Sequence, residues 1–254
     1  MMLPTERFTT RAGDYARHRP GYPAGALELL AGRCGLAAGA RVADLGSGTG
    51  ILTGLLLERG AEVFAVEPNA AMRAAAEAQL AGRAGFHSVA GSAEATGLPG
   101  AGIDLAVAGQ AFHWFEVAPA RAELLRILRP GGWAALLWNE RPPQLTPFLA
   151  EYDALLTAHA PDYTRIVASR ADVRAMGAYL GAGMEVATFP NQQILDFEGL
   201  EGRLMSSSYA PQRGAPDYQP LMARLRELFE RHAAGGRVVM PYETRVYFGR
   251  PAAR

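Results

Sequence analysis

From about residue 23 to 139, short apolar runs alternate with longer amphipathic segments. The runs Val42–Leu45, Val63–Val66, Phe86–Ala90, Ile103–Ala108 and Trp133–Trp138 have the length and composition of buried strands. Between them the spacing predicts helices over Ala24–Cys34, Ile51–Arg59, Ala70–Ala81 and Val117–Leu128. In the last of these, Val117, Ala120, Leu124 and Leu128 form one apolar stripe while Arg121, Glu123 and Arg126 stay outside it. Arg129-Pro130-Gly131-Gly132 is expected to stop that helix before the next strand. Strand and helix alternating in this way predict an α/β fold with a doubly wound parallel sheet. In such sheets ligands sit at the carboxyl ends of the strands, so chemistry is sought after each strand.

Beyond Asn139 the rhythm changes. Arg141-Pro142-Pro143 and Thr146-Pro147 punctuate the chain, and helices are predicted at Phe148–His159, Ala171–Leu180, Gly199–Ser207 and Tyr218–His232. A strand is expected from Glu185 to Phe189, extending towards Phe197, and closing strands at Arg237–Met240 and Thr244–Gly249. No internal repeat or low-complexity linker divides the chain. The expectation is one domain over residues 1–254. Residues 1–139 form an N-terminal arm and a ligand-binding half, and residues 140–254 add helices that cap it and strands that close the sheet. Helices leaving a strand's carboxyl end emerge on the ligand face, so Phe148–Leu180 is expected to cover the site.

Composition narrows the chemistry. The 254 residues carry 25 cationic and 25 acidic side chains, a net charge of zero, which disfavours a nucleic-acid partner. Every cation is arginine, so lysine Schiff-base chemistry and the lysine-dependent phosphate loop are excluded. The Arg, Ala and Gly bias is that of a GC-rich bacterial genome. Cys34 is the one cysteine, which rules out an intramolecular disulfide and a multi-cysteine metal site. No metal site is predicted. The start lacks a secretory apolar run, and Trp133–Trp138 is too short to span a bilayer. A cytoplasmic protein with no membrane partner is expected.

The stretch Val42-Ala43-Asp44-Leu45-Gly46-Ser47-Gly48-Thr49-Gly50-Ile51 joins the first strand to a helix. Its glycines allow a sharp turn and close approach of the backbone to a ligand. A dinucleotide fingerprint needs its third glycine where Ile51 stands. The Asp44 carboxylate under this loop is poorly placed for a pyrophosphate and well placed for an ammonium- or sulfonium-bearing ligand. Glu67, at the end of the second strand, can accept hydrogen bonds from both hydroxyls of a ribose, in an adenosyl or a dinucleotide ligand. The alternative for Glu67 is a surface acid.

These residues resemble the class I S-adenosylmethionine-dependent methyltransferases, over roughly residues 40 to 139. The resemblance implies a Rossmann-like sheet and S-adenosylmethionine as cofactor, with S-adenosylhomocysteine as product. It implies that the loop wraps the methionine portion, Glu67 takes the ribose, and Pro68 and Met72 line the adenine. Ser92 stands where many relatives carry an adenine-binding Asp, so Ala93 or Glu94 beside it is the other candidate; Glu94 is alternatively an early helix acid. The run Gln110-Ala111-Phe112-His113-Trp114-Phe115 is similar to the small-molecule, trans-aconitate-like branch, as are Arg126–Gly132 and the lead-in Asp14–Pro23. From that branch Gln110, Ala111 and Trp114 are expected at the cofactor, and Tyr15 and Arg19 over it, Arg19 pairing with its carboxylate. The alternative for Tyr15 and Arg19 is a packed N-terminal arm.

A sulfonium methyl is already activated, so the protein mainly aligns acceptor, methyl and sulfur. His113 is the candidate general base for a protonated acceptor; alternatively it orients Trp114 or contacts the cofactor. A carboxylate acceptor needs only cationic positioning, for which Arg141, Arg165, Arg170 and Arg203 are candidates, with Ser206 to Tyr209 as a polar wall. Amino-group methylation of nucleic acid does not fit, because Asn139-Glu140-Arg141-Pro142-Pro143-Gln144 departs from its signature, and no Pro precedes Cys34. The expected activity is methyl transfer to a small molecule, at oxygen in preference to nitrogen or carbon. The alternative is an inactive adenosylmethionine-binding regulator or scaffold. A nicotinamide oxidoreductase is weakened by Ile51.

Overall fold

The computed structural model describes residues 17–142, 144–160, 163–164, 172–207, 209–211 and 214–252. Tyr15, Arg165 and Arg170 lie outside the described residues. Strands β1 (Arg41–Leu45), β2 (Glu62–Val66), β3 (Phe86–Val89), β4 (Ile103–Gly109) and β5 (Leu128–Glu140) pair in parallel. Helix α1 (Ala24–Arg33) precedes them, and α2 (Ile51–Glu58), α3 (Ala70–Gln79) and α4 (Val117–Ile127) lie between them in the chain. Two later strands, β6 (Glu185–Leu195) and β7 (Val238–Gly249), pair with each other antiparallel, and β7 also runs antiparallel to β5. The seven strands lie in the order β3-β2-β1-β4-β5-β7-β6.

Alternation along the strands sorts the core onto two faces. Val42, Leu105, Leu137 and Val246 pack with Leu27 and Leu30 of α1 and Leu52 and Leu56 of α2. Their neighbours Ala43, Ala106, Leu136 and Tyr247 point the other way, against Leu124 and Ile127 of α4. This is the period of two that pleating imposes on a strand covered by helices on both sides.

The five expected strands are parallel, and β7 joins them from their carboxyl ends, pairing Glu243 with Glu140 and ending at Gly249 opposite Ala134, so it runs antiparallel. Two expectations are corrected. The two closing strands are one, continuing through Pro241, whose missing N–H hid the continuity. The segment Phe148–Leu180 is not one cap. Helix α5 (Pro147–His159) joins the apolar cluster of the later helices, but α6 (Val173–Leu180) lies on the sheet, its Met176, Tyr179 and Leu180 buried with Leu124 and Ile127. Because β6 is antiparallel to β7 it is parallel to β5, and α6 is the crossover that this requires.

Helices α5, α7 (Phe197–Met205) and α8 (Tyr218–His232) build a separate apolar cluster with Leu195, Val238 and Met240. Side-chain caps start two of them: Thr146 accepts from Leu149 N–H at 3.3 Å ahead of Pro147, and Asp196 accepts from Gly199 N–H at 2.8 Å. Arg129–Gly132 forms no separate turn. Ile103 pairs with Leu128 and Leu105 with Trp133, so the Pro-Gly-Gly residues bulge out of β5 instead of preceding it.

Candidate functional site

At the carboxyl end of β1, Gly46, Gly48 and Gly50 take φ of +68°, +58° and +84°. A Cβ on Gly46 would stand 2.7 Å from the Ala111 Cβ, so glycine is needed there for both conformation and space. The N–H groups of Gly46 and Ser47 donate to Val66 O at 2.8 and 3.1 Å. Glu67 then clamps the loop: its Oε2 accepts from Gly48 N–H at 2.9 Å and its Oε1 from Asn69 N–H at 2.8 Å. Burial pushes the Glu67 carboxyl above its ordinary value, opposed by those two N–H groups.

A cleft opens between this loop and the end of β4, where the strand order reverses between β1 and β4. Asp44, Gly46, Ser47, Gly48 and Thr49 line it from the loop, Gly109 and Gln110 from the end of β4, and Arg19 and Tyr22 from the segment before α1. A Cβ on Gly109 would stand 2.5 Å from the Tyr22 hydroxyl, a contact that the Tyr22 side chain would have to move to relieve. Gln110 holds φ of +57°, a strained setting for a side-chain-bearing residue, fixed by its N–H to Leu137 O at 2.9 Å and its Nε2 to Asn139 O at 3.1 Å.

Asp44 Oδ1, Ser47 Oγ and Thr49 Oγ1 at this cleft are buried without a hydrogen-bond partner among the described residues. Each such atom costs about 1–3 kcal/mol if nothing meets it, so their convergence marks a place shaped for a ligand. Asp44 is 1% exposed and its other oxygen accepts from Thr53 Oγ1 at 2.7 Å. Burial lifts its carboxyl to about 7, against the Thr53 hydrogen bond and with a further push from Glu67.

The remaining predicted residues surround this centre unevenly. Met72 is buried, with its Cε 3.9 Å from the position of a Cβ on Gly48, whereas Pro68 is exposed. Ser92 is half-buried in a turn bridged to Ala95, and Ala93 is buried in the apolar core under the sheet. Glu94 sits in that turn, so it is not an early acid of its own helix; its Oε1 accepts from Glu116 N–H at 2.9 Å, at the start of α4. Ala111 touches the loop, and Phe112–Trp114 forms a single 3-10 turn after β4. There the His113 and Trp114 rings lie 4.5 Å apart, with Trp114 36% exposed, and neither side chain lines the cleft itself.

The cap contributes a second cluster. Arg141 Nη1 donates to Asp153 Oδ1 and, at 2.6 Å, to the Tyr163 hydroxyl. Arg203 Nε donates to the Tyr242 hydroxyl at 3.1 Å and Nη1 to Ser207 Oγ at 3.1 Å. Arg19 reaches the same Ser207 Oγ at 3.4 Å and Ser206 O at 2.8 Å, so it joins the cap to the cleft. Tyr209 is buried beside them, packed edge-on at 5.0 Å against Tyr163. Sequence reasoning named Arg203 and Tyr209 but missed Tyr22, Tyr152 and Tyr242. Tyr22 stands in the lead-in and was a readable candidate; Tyr152 sits on an apolar helix face, and Tyr242 falls between the two closing strands that the sequence suggests.

Among the described residues no cluster of His, Cys, Asp or Glu is placed to hold a metal ion, and no helix is long and apolar enough to cross a membrane. Residues 43–136 match the family described as methyltransferase domain. The chain is 41% identical over 138 residues to an uncharacterised methyltransferase of Mycobacterium tuberculosis, covering 54% of this chain and 54% of that protein. It spans about half the length of the first curated relatives it matches. A structure named for a type II methyltransferase from Anaeromyxobacter dehalogenans superposes with a TM-score of 0.64 at 24% identity, over 91% of this chain and 97% of that one. A Haemonchus contortus phosphoethanolamine N-methyltransferase solved with S-adenosylhomocysteine gives 0.57 at 15% identity, over 98% of this chain and 58% of that one.

The fold is that of solved methyltransferases, and residues 43–136 are similar to the methyltransferase domain family.

Proposed function

We propose that this chain transfers the methyl group of S-adenosylmethionine to an oxygen, carboxylate or hydroxyl, of a small-molecule acceptor. The observation that carries the reading is the convergence of Asp44 Oδ1, Ser47 Oγ and Thr49 Oγ1, all buried and unmatched, on one glycine-lined cleft. Asp44 would take the cofactor's ammonium, and Arg19 at the mouth its carboxylate. Glu67 spends one lone pair of each oxygen on the loop and keeps the others for the two ribose hydroxyls. Met72 and Pro68 would flank the adenine, with the Ser92–Glu94 turn beyond them. The bound cofactor supplies a methyl group already activated by its sulfonium.

What the chain adds is position and shelter. Gln110 lines the cleft beside the loop and Ala111 packs against Gly46; Trp114, outside the lining, would meet only a ligand that projects beyond the cleft. His113, next to Trp114, would receive a proton from a hydroxyl acceptor; for an ionised carboxylate it has no proton to take. The neutral overall charge favours a small acceptor over a nucleic acid.

The test is product analysis by mass spectrometry, using donor with an isotopically labelled methyl group and a panel of small carboxylic acids, phenols and amines. Label on an ester or ether oxygen supports the reading. Label on nitrogen or carbon overturns the oxygen assignment, and binding of the donor without any product favours the regulator or scaffold.

A further inference from the structure

Resting on the methyl-transfer reading above, we infer that the Arg203 guanidinium and the Tyr152 hydroxyl form an anchor for a carboxylate group of the acceptor. The charges around the cap are unevenly matched. Arg141 is paired with Asp153, whereas no carboxylate of the described residues meets Arg203. Its Nε and Nη1 are held by the hydroxyls of Tyr242 and Ser207, and Nη2 donates to none of the described residues. A guanidinium enclosed in protein without an anion is unfavourable, and its planar fork suits a carboxylate.

A second observation stands apart from the arginine. Tyr152 is 2% exposed, yet its hydroxyl has no hydrogen-bond partner among the described residues. The ring lies beneath the Arg141 guanidinium at 5.3 Å, and its phenol is in the electrostatic reach of Arg203, Tyr209 and Tyr242. A buried donor left open beside an unmatched cation is the complement of an oxyanion. The potential there is positive. Burial alone would raise the Tyr209 phenol, but Arg203, the Ser207 hydroxyl, Arg141 and Arg19 hold it below its ordinary value.

The anchor is placed to serve the cleft. Ser207 Oγ is shared by Arg203 and by Arg19, the latter lining the cofactor cleft. One hydroxyl thus separates the two guanidinium groups. A molecule held at Arg203 by a carboxylate would extend towards the loop, its remaining atoms presented on the cofactor side.

The test is calorimetry on the full chain saturated with S-adenosylhomocysteine. The probes are benzoate, phenylacetate and hexanoate, each beside its neutral primary amide, with phenyl phosphate as the other oxyanion. At least one acid should bind about tenfold or more tightly than its amide. Arg203→Gln should abolish that preference while cofactor affinity stays within about threefold. Tyr152→Phe should weaken the acid several-fold without lowering the unfolding temperature, because the hydroxyl it removes satisfies nothing in the fold; this variant carries the test if Arg203→Gln does not fold. Binding by none of the acids, equal binding of acid and amide, a preference that survives Arg203→Gln or Tyr152→Phe, or tighter binding of phenyl phosphate would each overturn the anchor. Those outcomes with cofactor binding intact leave methyl transfer standing, whereas a wild-type chain that does not bind the cofactor defeats the larger reading instead.

Discussion

Thr53 Oγ1 donates a 2.7 Å hydrogen bond to Asp44 Oδ2 across the glycine loop, from inside the helix that the loop begins. The bond fixes one oxygen of a fully enclosed carboxylate and leaves the other, Oδ1, unmatched in the cleft. Loop, helix and carboxylate are therefore one unit, and the state of Asp44 sets what the cleft can bind.

Asp44 titrates near neutrality because burial raises it from 3.8 to about 7. With the folded value above the unfolded one, the folded state keeps a proton that the unfolded state has lost between about pH 4 and 7. The unliganded chain should therefore lose stability as pH rises through that window. Binding of an ammonium-bearing cofactor needs the carboxylate, so affinity should fall as pH drops below about 7, by up to about tenfold per unit. Calorimetry from pH 5 to 8 measures this. Asp44→Asn should flatten the profile, and Thr53→Val, which removes a bond to the ionised form, should move it to higher pH.

Glu67→Ala should weaken cofactor binding by about tenfold or more, since each ribose hydrogen bond contributes about 0.5–1.5 kcal/mol, and more to a charged acceptor. The variant should also unfold at lower temperature, because the N–H groups of Gly48 and Asn69 lose their acceptor. Glu67→Gln, which keeps one acceptor oxygen, should recover part of the stability but less of the affinity. An unchanged dissociation constant in Glu67→Ala would reduce Glu67 to a clamp on the loop.

Gly46→Ala places a methyl group 2.7 Å from the Ala111 Cβ in a left-handed conformation. Such overpacking costs about 1–3 kcal/mol, so thermal unfolding should shift down and cofactor binding should be lost with the loop displaced. A variant with wild-type affinity would mean that the loop does not need to approach its ligand closely.

The five parallel strands and the glycine loop were legible because burial on both faces imprints short apolar runs, and the turn demands particular residues at particular places. Ile51 in place of a third glycine argues against a dinucleotide loop. What was not legible depended on partners distant in sequence. Nothing near Val173–Leu180 signals that it crosses the sheet, since its apolar stripe would serve equally under a cap. Pro241 concealed a continuous strand, and Pro130-Gly131-Gly132 read as a helix stop when it is a bulge inside one. Glu67 was read for its ribose-binding capacity, but its two bonds to the loop backbone involve N–H groups that every sequence has. The cap cluster was visible only as scattered arginines, because an aromatic such as Tyr152 on an apolar helix face carries no sign that its hydroxyl is left open.

The most direct test of the cofactor cleft is titration of the chain at pH 8, in parallel, with S-adenosylmethionine, S-adenosylhomocysteine and NAD. The Asp44–Gly50 loop, built around an unmatched carboxylate instead of a pyrophosphate cradle, should bind both adenosyl ligands and give no NAD signal. Saturable NAD binding with no response to S-adenosylmethionine or S-adenosylhomocysteine would contradict it.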